Sequence, residues 1–122
     1  MPKTVLIVED DELNLRFFDE LLSSEGYRTL TATTGADALA AARGERPDLV
    51  LLDIELPEGS GLDVAGAMKR DVTLAGVPVI AVTAHAMEGD EARIRDGGCE
   101  GYIAKPVTMR GFLDTVRRYA HA

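Results

Sequence analysis

The chain has 122 residues, a common size for one domain, and its 46% hydrophobic and 28% charged residues are typical of a folded globular protein. A net charge of −8 without any run of Lys or Arg excludes the electrostatic surface of a nucleic-acid binder. The first residues do not resemble a signal peptide, and no apolar stretch reaches the about 18 residues that cross a bilayer, so we expect a cytoplasmic protein without membrane contact.

The first half of the chain alternates short apolar runs with helical periodicity. Thr4–Val8 is a continuous apolar run, which predicts a central strand covered on both faces. Residues 13–25 carry large apolar side chains at helical spacing, and Gly26 ends that predicted helix. Arg28–Ala32 is more polar and predicts an edge strand, and the Ala-rich residues 37–43 predict a second helix.

The second half continues the same alternation. Residues 48–52 and 77–82 are apolar and predict two more central strands, while Gly101–Ala104 predicts the other edge strand. Three further helices are predicted over residues 62–71, over residues 87–96, and from the cap residue Thr108 to Ala120. The helix at 87–96 is mostly charged and has a thin apolar stripe, so we expect it to pack weakly and to be able to move.

This alternation predicts one α/β domain over residues 1–122. Right-handed crossovers and helices on both faces favour a flavodoxin-like, doubly wound sheet of five parallel strands in the order 2-1-3-4-5, with five helices. In that order the first and third strands are neighbours. Ligands of such sheets bind beyond the carboxyl ends of the strands, where the strand order reverses.

Acidic residues follow the two strands that meet at this edge. Glu9 and Asp10 come directly after the first strand, and Asp53 comes directly after the third. Carboxylates this close repel one another, and a hard divalent cation relieves the repulsion. Mg²⁺ suits a site with few carboxylates, water and a phosphate, whereas Ca²⁺ would require more protein oxygens. The sequence therefore predicts a magnesium site that includes Asp53.

The fourth and fifth strands deliver Thr83 and Lys105 to the same edge. A hydroxyl donor and a positive point charge both suit the oxygens of a phosphoryl group, and an Asp carboxylate can be the nucleophile that accepts one. Taken singly, each residue could be ordinary: Asp53 a surface carboxylate, Thr83 a helix cap and Lys105 a solvated charge. Their convergence with the acidic residues favours a phosphoryl-accepting site on Asp53.

Four segments together resemble the signature of two-component response-regulator receivers, which are CheY-like proteins, and the resemblance spans the whole chain. The segments are residues 5–10, 48–57, 82–84 and 102–106. A narrower resemblance, to the DivK group of single-domain cell-cycle response regulators, is carried by residues 8–14, 86–91 and 97–100.

The resemblance implies roles for the acidic residues. Asp53 matches the phosphoacceptor, and Asp10 matches the direct Mg²⁺ ligand. Glu9 matches the acid that holds metal-bound water, and the backbone carbonyl of Glu55 matches a further metal ligand.

The resemblance also implies roles beyond the metal. Thr83 and Lys105 match the pair that senses the phosphoryl group. Tyr102 matches an aromatic residue that changes rotamer when the Thr moves, although an ordinary half-buried edge-strand aromatic explains it equally well. Pro106 matches a proline that follows a cis peptide bond, which would aim Lys105 back into the site.

By the same resemblance, a histidine kinase or histidine phosphotransfer protein is the expected donor to Asp53. The domain would catalyse only its own phosphorylation and dephosphorylation, and it is not otherwise expected to be an enzyme. Phosphorylation would change the surface of the fourth helix and fifth strand and so control a downstream protein target in the cell cycle. We expect no output domain, and a monomer or a weak phosphorylation-dependent dimer.

Two residues flank the predicted site. Glu55 lies two residues after Asp53, and His85 lies two residues after Thr83. We hypothesise that both side chains shape the approach of hydrolytic water and so set the lifetime of the phosphoryl group. The alternative is that both are ordinary exposed loop residues.

Other functions fit the residues less well. A phosphatase of the haloacid dehalogenase type also uses Asp, Thr, Lys and Mg²⁺, but the Thr expected soon after its second acid is missing, and so is a cap segment. A dinucleotide or flavin protein would need a glycine turn where the first strand here runs into acids. An interaction module that no longer needs phosphorylation is disfavoured by the intact set of site residues.

Overall fold

The computed structural model describes residues 2–56, 59–84 and 90–120 of the chain. Its main sheet has five parallel strands: β1 Thr4–Val8, β2 Arg28–Ala32, β3 Leu49–Asp53, β6 Val79–Thr83 and β7 Gly101–Ala104. They are ordered β2-β1-β3-β6-β7. This is the predicted order 2-1-3-4-5 when a short hairpin between β3 and β6 is left out of the count, so the predicted topology is confirmed.

Five helices connect and cover the strands: α1 Glu12–Ser24, α2 Gly35–Glu45, α3 Gly61–Arg70, α4 Asp90–Asp96 and α5 Met109–Ala120. Each lies within a few residues of its predicted bounds, except that residues 87–89 of the predicted fourth helix lie outside the described residues. The helix α2 begins earlier than predicted because Thr34 caps it, with its Oγ1 accepting from Asp37 N at 3.1 Å. Among the described residues, no helix combines the length and apolarity required to span a membrane.

The core consists of two apolar layers, one on each face of the sheet. Successive residues of β1 point to opposite faces, so that Val5 packs in one layer and Leu6 in the other. One layer includes α1 and α5, where Phe18 and Phe112 stack with ring centroids 4.8 Å apart. The other layer includes α2, α3 and Ile94 of α4. The predicted covering of both faces is therefore confirmed.

Two strand boundaries differ from the prediction. Residue 48 was expected to open β3, but Asp48 precedes the strand, and its Oδ2 accepts a hydrogen bond from Thr4 N at 2.8 Å. Residues 77 and 78 were expected in β6, which begins at Val79. Pro78 has no N–H group to donate to a neighbouring strand, although its carbonyl accepts from Val50 N at 3.0 Å.

A short antiparallel hairpin, which the sequence did not predict, follows β3. Its strands are β4 Glu55–Leu56 and β5 Gly59–Ser60. Directly after it, Gly61 N donates to Ile54 O at 2.8 Å. A Cβ atom on Gly61 would collide with the carbonyl oxygen of Asp53, so only glycine lets the start of α3 pack this closely. The hairpin thereby fixes the chain that leads away from Asp53.

Candidate functional site

Three carboxylates meet at the carboxyl ends of β1 and β3. Glu9 and Asp10 follow β1, Asp53 ends β3, and the two strands pair directly. One carboxylate oxygen from each residue lies within 4.8 Å of the other two. Glu9 and Asp53 are 1% and 3% exposed, whereas Asp10 is open to solvent. The sequence predicted all three residues and their convergence.

Glu9 leaves a buried oxygen without a suitable donor. Its Oε2 accepts from Asp11 N at 3.2 Å, but Oε1 has no hydrogen-bond partner among the described residues. Lys105 Nζ lies 3.3 Å from Oε1, which makes an ion pair without hydrogen-bond geometry. A buried carboxylate oxygen of this kind is satisfied by a cation or by water bound to one. The oxygen-only set of Glu9, Asp10 and Asp53 therefore fits Mg²⁺.

The crowding of carboxylates changes the ionisation of Asp53. Burial, above all, raises its pKa from 3.8 to about 8, and hydrogen bonds with the Glu9 and Glu55 side chains and the charge of Glu9 act in the same direction. The backbone N–H of Glu55, which donates to Asp53 Oδ1 at 2.9 Å, opposes the rise in pKa. A divalent cation at this position would favour the ionised carboxylate.

Lys105 brings a positive charge to the same point. Its Nζ lies 3.5 Å from Asp53 Oδ2, and its side chain is 23% exposed. Burial disfavours the charged form, but the charges of Glu9 and Asp53 outweigh it and raise the pKa of Lys105 above its usual value. Lys105 N donates to Thr83 O at 2.8 Å, and the peptide bond to Pro106 is cis, the geometry that the resemblance implies.

Thr83 is buried at the end of β6 and bonds to Glu55, a contact that the sequence alone did not predict. Its hydroxyl donates to Glu55 Oε1 at 2.9 Å, and Ala84 N donates to the same oxygen at 3.1 Å. Burial of Glu55 opposes ionisation, but hydrogen bonds from Asp53, Thr83 and Ala84 prevail and lower the pKa of Glu55. The Glu55 side chain is therefore held by the site, although part of it is exposed.

The remaining predicted residues lie at the margin. Tyr102 is half-buried on β7 and packs against the apolar layer that includes α2 and α3, so both interpretations of it stay open. His85 lies outside the described residues. The role of the Glu55 backbone carbonyl as a further metal ligand stays a prediction.

Comparison with known families identifies the family of the chain. The model of the response regulator receiver domain matches residues 5–117. The chain belongs to the response-regulator receiver family. It is therefore a signalling protein rather than a conventional enzyme, and the haloacid dehalogenase alternative is excluded.

Two DivK proteins share about half of their sequence with this chain. The polar-differentiation response regulator DivK of Brucella anthropi is 54% identical over 119 residues, which cover 98% of this chain and 97% of that protein. The DivK protein of Brucella ovis is 52% identical over the same length. The predicted resemblance to the DivK group is confirmed.

Solved receiver structures share the fold. The receiver domain of the sensor histidine kinase PA1611 from Pseudomonas aeruginosa has a TM-score of 0.91 and 29% identity, with all of both chains covered. That structure holds a magnesium ion coordinated in the active site cleft. A CheY-like receiver from Methanospirillum hungatei has a TM-score of 0.91 and 30% identity, covering 99% of this chain and 95% of that one. The predicted CheY-like fold is confirmed.

Proposed function

We propose that Asp53 accepts a phosphoryl group from the phosphohistidine of a kinase or phosphotransfer protein. The bond between phosphorus and the donor's histidine nitrogen breaks, the nitrogen keeps the electron pair, and a bond forms between phosphorus and an Asp53 carboxylate oxygen. The observation that carries the proposal is the position of Asp53, which lies among two further carboxylates with Lys105 Nζ 3.5 Å away.

The residues around Asp53 have complementary tasks in this transfer. The side chains of Asp10 and Asp53 and the carbonyl of Glu55 would hold Mg²⁺, and Glu9 would hold a water bound to it. Bound Mg²⁺ would neutralise negative charge on the carboxylates and on the phosphoryl oxygens. Lys105 places its ammonium where it stabilises the same oxygens as charge develops on them.

The proposed output is a change in the surface formed by α4 and β7. A phosphoryl group on Asp53 would draw the hydroxyl of Thr83 inward and favour one placement of α4 and Tyr102 over another. Among residues 91–96 Ile94 alone is buried, which supports a helix that can shift. The chain covers 97% of the Brucella DivK protein, whose name refers to polar differentiation, and this supports a stand-alone regulator of a partner protein in cell division.

Phosphoryl acceptance and switching can be tested together. The protein should be treated with Mg²⁺ and beryllofluoride, a phosphoryl analogue, and followed by two-dimensional NMR. We expect amide shifts at the site and along residues 90–104, and none in Asp53→Asn. A response confined to the metal site would refute the switch, and stable labelling by a small acyl phosphate should require Asp53.

We also propose that Glu55 and His85 tune the lifetime of the phosphoryl group. Glu55 lies two residues after Asp53 in the sequence and His85 lies two residues after Thr83. If both side chains shape the approach of hydrolytic water, Glu55→Asn and His85→Ala should each change the decay rate by several-fold. Decay of the phosphorylated protein, measured by loss of the label, checks this. Equal lifetimes in the wild type and both variants would contradict it.

A further inference from the structure

One carboxylate oxygen of Glu55 gathers two hydrogen-bond donors at the end of β6. The Thr83 hydroxyl is 2.9 Å from Glu55 Oε1, and the Ala84 backbone N is 3.1 Å from the same atom. Two donors converging on one anionic oxygen is the arrangement by which proteins bind phosphoryl oxygens. Here the acceptor of both donors is the carboxylate of Glu55, a residue of the same protein.

The same residue also faces Asp53. The Glu55 backbone N donates to Asp53 Oδ1 at 2.9 Å, and the Glu55 side chain lies close enough to the Asp53 carboxyl group to help raise the pKa of Asp53. Glu55 therefore lies between Asp53 on one side and the donors of Thr83 and Ala84 on the other. A phosphoryl group on Asp53 would extend into this space.

The backbone holds Glu55 in this place. Glu55 begins β4 and pairs with Ser60 in the hairpin, and the hairpin is closed by the bond from Gly61 N to Ile54 O. Because the start of α3 lies against the carbonyl of Asp53, the hairpin has little room to shift. The side chain of Glu55 has to move instead, and it has room to do so because the residue is exposed.

We propose that the Glu55 carboxylate is a built-in competitor of the phosphoryl group, which occupies the Thr83 and Ala84 donors until phosphorylation displaces it. The proposal rests on the proposed function and deepens it by naming a group that sets the threshold for activation. Glu55 is a positioning residue here, because it acts through Thr83 and Ala84.

Competition follows from charge and from hydrogen-bond number. A carboxylate and a phosphoryl group are both anionic, so they repel each other when they share one pair of donors. The donor N–H of Ala84 has a single hydrogen to offer, so a phosphoryl oxygen has to take it from Glu55. Displacing Glu55 costs part of the free energy that the phosphoryl group gains from these donors. The apparent affinity of the site for a phosphoryl group is therefore lower.

The test compares three variants in saturating Mg²⁺. Glu55→Ala removes the acceptor and the charge, and Glu55→Gln keeps an acceptor oxygen but removes the charge. Glu12→Gln is the matched control, because it removes the same charge from the exposed first turn of α1 without contact to Thr83. Beryllofluoride is titrated into each protein, and the NMR signal of the Ala84 amide reports binding.

We expect Glu55→Ala to bind beryllofluoride about tenfold more tightly than the wild type, a gain of about 1.4 kcal/mol. Glu55→Gln should lie between the two, and Glu12→Gln should stay within about twofold of the wild type. Before any addition, the Ala84 amide proton should move upfield in Glu55→Ala, because it loses its acceptor.

Each other outcome overturns the proposal in a recognisable way. If the wild type responds normally but Glu55→Ala binds beryllofluoride no more tightly, Glu55 does not compete with the phosphoryl group. That result leaves the phosphoacceptor function intact. An equal gain in Glu12→Gln and Glu55→Gln shows a general effect of charge and also refutes the competition. A wild type that fails to respond refutes the proposed function, and the competitor falls with it.

Discussion

At the scale of single residues, the proton on Asp53 links the site to the stability of the fold. The pKa of Asp53 is raised to about 8 in the folded protein, chiefly by burial, so the folded state binds this proton more tightly than the unfolded chain does. The stabilisation that this proton gives to the folded state is therefore fully present below about pH 4. It is lost as the pH rises from about 4 to about 8.

Asp53→Asn should consequently be more stable than the wild type in EDTA at pH 8, because Asn carries no charge to bury. The advantage should grow by on the order of 1 kcal/mol per pH unit between pH 5 and pH 8. Urea unfolding followed by circular dichroism at several pH values measures it. Glu20→Gln, an exposed substitution on α1, should show a difference that does not vary in this way. A constant difference for Asp53→Asn would mean that Asp53 is already ionised at pH 5.

The sequence predicts the five principal site residues because of where strands end. Glu9, Asp10, Asp53, Thr83 and Lys105 each stand at or just after the carboxyl end of a parallel strand, and such ends share one edge of the sheet. Position along the chain is therefore enough to bring them together. Their ionisation is a different matter, because it depends on burial and on distances of a few ångströms, which the sequence does not contain.

At the scale of elements, the hairpin after β3 shows where sequence patterns fail. Its strands, Glu55–Leu56 and Gly59–Ser60, have two residues each, too few to establish any alternation of apolar and polar side chains. Yet this hairpin turns Glu55 toward Thr83. The periodicity of the sequence therefore could not predict the contact between Glu55 and Thr83. That Glu55 lies near the site could be predicted, because it follows Asp53 by two residues.

The helix α4 is the element whose predicted weakness matters most for switching. Ile94 is 1% exposed and is the single buried side chain among residues 91–96. By contrast, α1 buries Phe18 and Leu22, and α5 buries Phe112, Val116 and Ala120. One apolar anchor leaves α4 able to open without unfolding the sheet.

Ile94→Ala should therefore detach α4 locally. Truncating the buried Ile94 side chain costs about 2–4 kcal/mol of packing free energy, which is more than the other contacts of this short helix can compensate. The sheet keeps its two apolar layers. Hydrogen exchange should show the α4 amides losing protection by at least about tenfold more than those of β1 and β3. Ile94→Val, which keeps most of the apolar side chain, serves as the control and should have a much smaller effect. Equal loss of protection in α4 and in the sheet would show that α4 unfolds only with the whole domain.

At the scale of the whole molecule, the order of strands could be predicted because few topologies bury three apolar strands on both faces with right-handed crossovers. The central positions of β1, β3 and β6 follow directly from their apolar runs, and the edge positions of β2 and β7 from their more polar ones. The ends of the elements could not be predicted as well. The first residue of a helix depends on which side chain caps it, as Thr34 caps α2. Several nearby polar residues could serve as the cap, so the sequence alone does not determine that position.

The acidic balance of the chain and the clustered carboxylates should make its stability depend on divalent cations. An ion that binds only the folded state adds RT ln(1 + [L]/Kd) to the free energy of unfolding, about 2.7 kcal/mol at a concentration of 100 times Kd. We expect Mg²⁺ to raise the unfolding midpoint of the wild type in urea, beyond what NaCl of equal ionic strength does by screening the net charge of −8. Asp10→Asn should lose most of the Mg²⁺ effect without unfolding, because Asp10 is exposed, and Glu12→Gln should retain it. If Mg²⁺ stabilises Asp10→Asn as much as the wild type, the cation does not bind at the ends of β1 and β3, and the stabilisation arises from the charge of the whole surface.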